Sequence, residues 1–313
     1  MHRHDHAHDR PQEHGHARHA RPAGPGTLYL ALALTAGFAV VELVAGRYFG
    51  SLALVSDAGH MFSDAAALGV AAFAAWVAQR PAGARHSYGL ARAEVVAAFV
   101  NGLALLIVVV LIAAEAVRRL LEPQQVQGLG VAVIALLGLI VNLCVMYVIG
   151  RGQHDLNTRA AVLHIFGDLV GSVAALTAGT VIYFTGWQPI DPLLSMFIAL
   201  LILWSTLRLV RDALHVLMEG VPLEIRLPEV GRALAGVSGV RSVHDLHVWT
   251  IASGQVALSA HVEVEDLGQW LPVLEACRRV AEERFGIGHV TLQPEPVGGI
   301  NAGRAARVTL IRK

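Results

Sequence analysis

SLALVSDAGHMFSDAAALGV, residues 51–70, has the length and apolar character of a membrane-spanning helix, yet it carries Asp57, His60 and Asp64 near its middle. An ionisable side chain at the centre of a bilayer costs roughly 2.5–3.5 kcal/mol on insertion scales. Three in one segment therefore demand a compensating partner elsewhere in the chain.

The composition sets the frame for that search. The chain has 313 residues, 55% hydrophobic and only 15% charged, with a mean hydropathy of +0.55. An ordinary soluble domain carries about 25% charged residues, so this is a membrane protein with a lipid bilayer as its solvent. A formal net charge of zero argues against nucleic acid as a partner, which would call for a basic excess. Two cysteines, Cys144 and Cys277, are too few for a disulfide framework or a multi-cysteine zinc finger within one chain. Lys313 is the single lysine among many arginines, a habit of GC-rich genomes that favours a bacterial source.

Residues 1–26 hold seven of the sixteen histidines and no apolar core of a signal peptide; they read as a disordered, His-rich tail. Six apolar stretches follow, at about 27–49, 52–78, 91–114, 126–150, 159–185 and 190–214. Each reaches the roughly 20 residues that a helix needs to cross about 30 Å of hydrocarbon. Residues 27–218 are thus expected to form a six-helix transmembrane domain. Arg80, Arg85, Arg151 and Arg159 fall in loops on the same side as the arginines of the tail. The positive-inside rule then puts both termini in the cytoplasm of a multi-pass protein of the inner (plasma) membrane.

Residues 219–296 have the composition of a soluble domain. A short helix around Pro228 precedes the strands SVHDLHVWTI and QVALSAHVEVE, then a helix at 270–285 and a last strand HVTLQPE. The second strand alternates cleanly through Val256, Leu258, Ala260, Val262 and Val264, and a SerGly turn at 253–254 joins the pair. The order αββαβ predicts an α+β sandwich with helices on one sheet face. Residues 297–313 read as a flexible C-terminal tail.

The partner for the opening stretch is expected at residues 164–168. His60-Met-Phe-Ser-Asp64 and His164-Ile-Phe-Gly-Asp168 share the pattern His-x-Phe-x-Asp in two otherwise apolar helices. Residues four apart lie on one helix face about 6 Å apart along the axis. Each helix offers one imidazole and one carboxylate in the same direction, and the second and fifth spans run antiparallel. Two imidazoles and two carboxylates suit a tetrahedral Zn2+ site, and two ionised Asp balance the charge of a divalent ion. Without metal the same groups can take up protons, so a site exposed alternately to each side can exchange metal for protons. Asp57, one turn before His60, stands on a possible proton or ion path.

Taken together, SDAGHMFSD, HSYGLARAEVVAAFVNG (86–102), HIFGDLVGS (164–172) and VHDLHVWTIASGQVALSAHVEVED (243–266) resemble the cation diffusion facilitator family of zinc transporters, over nearly all of residues 27–296. The resemblance implies a homodimer, a cytoplasmic domain of metallochaperone-like (ferredoxin-like) fold, and export of metal from the cytoplasm in exchange for protons. His60, Asp64, His164 and Asp168 match the family's transport site, and His in both pairs points to zinc, with cadmium and cobalt served by the same ligands. His244, His247, His261, His289 and Glu295 fall at or near the family's regulatory metal positions, which makes zinc an expected regulatory ligand as well as cargo. His244, His261 and His289 are the first expected ligands, with Glu295 next. Arg92 and Glu219 resemble a charge pair that joins the third span to the hinge before the cytoplasmic domain. Cys277 is expected to be a buried thiol.

Two rival functions are weaker. An intramembrane zinc hydrolase would need a motif such as His-Glu-x-x-His, which the chain lacks, so an enzyme is not expected. A membrane metal sensor that does not transport fits the soluble histidines but leaves two intramembrane His/Asp pairs without a role.

Overall fold

The computed structural model describes residues 25–150, 156–252, 254–297 and 311–312, with side chains over 33–147, 166–252 and 254–297. The N-terminal tail, His154, Ser253, the side chain of His164 and most of 297–313 lie outside the described residues. Long helices occupy the apolar part of the chain: α1 (Pro25–Phe49), α2 (Leu52–Ala78), α3 (Ala93–Leu121), α4 (Gly128–Gly150), α5 (Leu156–Thr185) and α6 (Ile190–Leu217). Five of them, α2 to α6, are long and apolar enough over their described residues to cross a membrane. With α1 they correspond to the six expected spans.

The largest shift in a boundary is at α3, which continues to Leu121 rather than ending near 114. Glu115 holds Arg118 at 2.7 Å and Arg119 at 2.9 Å. These i,i+3 and i,i+4 ion pairs carry the helix about two turns past its apolar sequence.

The chain divides into two compact units, one made of residues up to Ala58 with Gln124–Leu194, the other of Gly59–Pro123 with Ser195 onward. In the first, α4 and α5 meet through glycines. A Cβ on Gly128 would lie 2.5 Å from the Tyr183 backbone nitrogen, and one on Gly179 would lie 2.5 Å from that of Ala132. Small residues let membrane helices approach at backbone distance, where van der Waals packing replaces the missing hydrophobic drive.

In the second unit, the soluble domain contains α7 (Leu227–Ala235), β1 (Val240–Ala252), β2 (Gln255–Val264), a 3-10 turn (Leu267–Gln269), α8 (Trp270–Phe285), β3 (His289–Pro296) and β4 (Ile311–Arg312). The expected αββαβ order is present. The sheet runs β3-β2-β1-β4, with β1 and β2 antiparallel and β2 and β3 parallel across α8.

Leu258, Val262 and Val264 of β2 are buried with Val230 and Leu234 of α7 and Cys277 and Ala281 of α8, so the alternating face of β2 is the core face. Ile311 and Arg312 pair with Val243 and Ser242. At these two residues the expected loose tail is instead a short edge strand, stabilised by ladder hydrogen bonds that no composition signal announces.

Candidate metal sites

The N-terminus of α2 is fixed before its site begins. Asp191, fully buried at the start of α6, accepts from the Ser51 hydroxyl, from Leu52 N–H at 2.6 Å and from Ala53 N–H at 3.3 Å. The first N–H groups of a helix have no partner within it, and here a carboxylate from 140 residues away caps them. No motif marks Asp191 in the sequence; its signal is an acidic residue before Pro192 in the otherwise uncharged loop GWQPID.

Two turns further along α2, His60 Nε2 stands 3.5 Å from Asp64 Oδ2, both half-buried. The i,i+4 spacing thus gives one imidazole and one carboxylate converging on one face. On α5, Asp168 is buried, and four residues after it Ser172 starts a polar line. Asn142 Nδ2 of α4 donates to Ser172 Oγ at 3.2 Å, and Ser172 Oγ donates to Asp57 Oδ2 at 3.3 Å. Asp57 is buried, and its other oxygen lies where a side chain at residue 171 would be, 2.2 Å from the Cβ position of Gly171. Gly171 and Ser172 both stand in HIFGDLVGS, so the recognised motif contains the seat of Asp57 as well as Asp168. Glu42 of α1 is fully buried, and its Oε1 occupies the space beside Gly138 of α4.

The soluble domain builds a second cluster from three strands. His244 on β1 and His261 on β2 are cross-strand partners, their rings 5.3 Å apart, and Glu295 comes from β3. One ligand atom from each lies within 4.8 Å of the others. Glu295 Oε1 is 2.8 Å from His261 Nδ1, and Oε2 is 3.3 Å from His244 Nε2. Donors at 2.0–2.2 Å in a tetrahedral zinc shell sit about 3.3 Å apart, so this set fits zinc with three ligands and a fourth position open.

His289 does not join them. It shares strand parity with Glu295, but six residues of strand separate the two by about 20 Å, and its ring stands edge-on to Tyr88 with centroids 6.0 Å apart. Parity assigns a face and not a position along the strand, which is why Glu295 takes the place expected for His289. His247 is exposed and turns its Nε2 to Asp245 Oδ1 at 2.9 Å. Cys277 is buried in the core; burial pushes its thiol up to about 11, which disfavours the thiolate a metal needs.

At the start of α3, Arg92 Nη2 donates to Glu219 Oε1 at 3.1 Å. Glu219 has a left-handed backbone with φ 59°, at the junction that leads from α6 to the soluble domain. The pair borders a cavity of about 1230 Å³, also lined by His86, Tyr88, His247 and Trp249.

Comparison with known proteins matches the cation efflux transmembrane domain to residues 28–218 and the cytoplasmic domain of cation efflux proteins to residues 222–297. The cadmium, cobalt and zinc/H(+)-K(+) antiporter of Bacillus subtilis is 38% identical over 90% of this chain and 92% of its own length. The metal cation efflux system protein CzcD of Cupriavidus metallidurans is 40% identical over 90% of each chain, and the zinc transporter ZitB of Escherichia coli is 40% identical over 86% of each. Among solved structures, the metal-bound C-terminal domain of the Cupriavidus CzcD transporter is 36% identical over 23% of this chain and 99% of its own, with a TM-score of 0.21. With both of its domains matched and relatives of this similarity along nearly its whole length, the chain belongs to the cation efflux (cation diffusion facilitator) family.

Proposed function

We propose that this protein exports zinc from the bacterial cytoplasm across the inner membrane in exchange for protons, with cadmium and cobalt as further cargo. It is a transporter and not an enzyme. The observation that carries the proposal is the His60/Asp64 pair, converging four residues apart in a helix long and apolar enough to cross a membrane. The same spacing recurs at His164 and Asp168 on α5. The names of the relatives support the cargo and, for one of them, the proton.

In this mechanism His60, Asp64, His164 and Asp168 hold one Zn2+ near the middle of the bilayer. The two carboxylates balance its charge. Alternating access brings the site first to the cytoplasm and then to the outside, and protons replace the released ion. Asp57, held by Ser172, lies on the path by which protons reach the site.

Both termini and the soluble domain are cytoplasmic. The soluble domain joins two copies into a homodimer and takes zinc as a regulatory ligand on His244, His261 and Glu295, with His247 and His289 outside that set. The Arg92–Glu219 pair ties the membrane helices to the hinge of that domain.

The test is zinc flux in proteoliposomes under an imposed pH gradient, with a proton-sensitive dye in the same vesicles. The native chain is expected to move zinc with a matching proton signal, and Asp64→Ala and Asp168→Ala to abolish both. Flux in the variants at the native rate would sink the proposed site. Absence of flux in the native protein would sink the transport reading itself.

A further inference from the structure

We propose that Asp245 is a positioning residue for the cytoplasmic metal site, fixing the His261 imidazole so that its Nδ1 faces the metal. The inference rests on the assignment of His244, His261 and Glu295 as ligands. Its starting point is an irregularity in β1. His244 pairs with His261 and His247 pairs with Ser259, so three steps on β1 match two on β2 and one residue of β1 is extra. Such a bulge bends the strand and re-aims side chains, and bulges gather beside functional sites.

Inside this bulge Asp245 takes a left-handed backbone with φ 50°; only Glu219 shares a positive φ among the described non-glycine residues. Asp is one of the few residues that tolerate this region. In a regular strand residue 245 would point to the face opposite His244. The bulge instead returns its carboxylate to the site: Oδ2 lies 3.7 Å from His261 Nε2, and Oδ1 lies 2.9 Å from His247 Nε2.

Each nitrogen of His261 therefore faces a carboxylate, Nδ1 that of Glu295 at 2.8 Å and Nε2 that of Asp245. A neutral imidazole has one N–H and one lone pair, and the nitrogen that keeps the hydrogen cannot ligate. Ligating histidines commonly give their remaining N–H to a carboxylate, which fixes the tautomer and the ring orientation. A His261 Nδ1 that ligates a metal must give up the hydrogen its 2.8 Å contact with Glu295 carries, and Asp245 is then the carboxylate placed to accept the Nε2–H. Asp245 is partly exposed, so a small rotation of its carboxylate would bring Oδ2 from 3.7 Å to hydrogen-bonding distance of Nε2. His247 restrains the second oxygen.

The test uses the full-length protein carrying Asp64→Ala, which removes a ligand of the membrane site, with zinc titrated against a chromophoric chelator. His261→Gln defines the share of binding that belongs to the cytoplasmic site. Asp245→Gly deletes the carboxylate while suiting the left-handed backbone, so the fold is retained. It is expected to weaken that site by about 10–100-fold. Asp245→Asn, whose amide oxygen still accepts a hydrogen bond, should recover much of the loss, and His247→Ala should cost less than Asp245→Gly.

In a His261→Gln background Asp245→Gly should add less than about twofold, because its effect runs through His261. A native-like affinity for Asp245→Gly, or the same penalty with and without His261, would overturn the proposal. If His261→Gln leaves zinc binding unchanged, the ligand assignment fails first and this inference falls with it.

Discussion

Replacing Asp191 by Ala should damage both the stability of the protein and its transport, although residue 191 is no ligand. Its carboxylate accepts three hydrogen bonds from Ser51, Leu52 and Ala53, all buried. Alanine leaves two helix N–H groups and a hydroxyl in a site that water does not reach. An orphaned buried donor costs about 1–3 kcal/mol, and removing an acceptor at a helix N-terminus alone costs about 1 kcal/mol. Relief of the desolvated carboxylate offsets part of this, so the net loss is about 3–5 kcal/mol. At about 2–4 °C per kcal/mol for a unit of this size, the melting temperature in detergent should fall on the order of 10 °C.

Asp191→Asn keeps one acceptor oxygen and should lose about half as much. Because α2 carries His60 and Asp64 two turns beyond the cap, zinc flux in proteoliposomes should fall with the same ordering, Ala below Asn below native. A melting temperature for Asp191→Ala within about 2 °C of native, together with native flux, would refute the argument that this cap holds the site-bearing helix in place.

Two further outcomes follow from single contacts. Gly171→Ala would set a Cβ 2.2 Å from Asp57 Oδ1, forcing the carboxylate off Ser172; a destabilisation of about 1–3 kcal/mol and a slowed zinc-for-proton exchange are expected from thermal melting and vesicle flux. Arg92→Glu should reduce transport by breaking the 3.1 Å pair with Glu219, and Arg92→Glu with Glu219→Arg should restore it. Because both groups are partly exposed, the melting temperature should move by less than the equivalent of about 1 kcal/mol.

The Cys277 thiol, pushed up to about 11 by burial, should resist alkylation at pH 8 in the native protein and react once the domain unfolds. The neutral thiol is the form that the folded domain favours. Its contribution to stability is therefore complete below the unfolded value near 9 and is lost as pH rises toward 11, which pH-dependent melting of native and Cys277→Ala protein would show.

Much of this architecture is visible in the sequence because membrane helices and half-buried strands impose simple periods. The spans follow from runs of about 20 apolar residues, and the core face of β2 follows from its alternation. The His60/Asp64 face follows from a spacing of four. What escaped depends on partners remote in the chain or on departures from regularity. Asp191 is meaningful only once residues 51–53 stand beside it. Glu295 rather than His289 joins His244 because the parallel register places Glu295 beside Glu263 and Gln293 beside His261, and no local pattern encodes a register. The bulge at Asp245 breaks the alternation that sequence reading relies on. Arg92 and Glu219, 127 residues apart, are linked by family resemblance and not by any local signal.

The glycine contacts between α4 and α5 also bear on how the protein can move. With Gly128 and Gly179 seated against the backbones of Tyr183 and Ala132, the two helices have almost no room to slide past each other. Any larger side chain at either contact would drive them apart. Shear between these helices is therefore closed as a route for conformational change. In the proposed transport cycle, a movement that turns Asp168 from one face of the membrane to the other would carry α4 with α5 as one body.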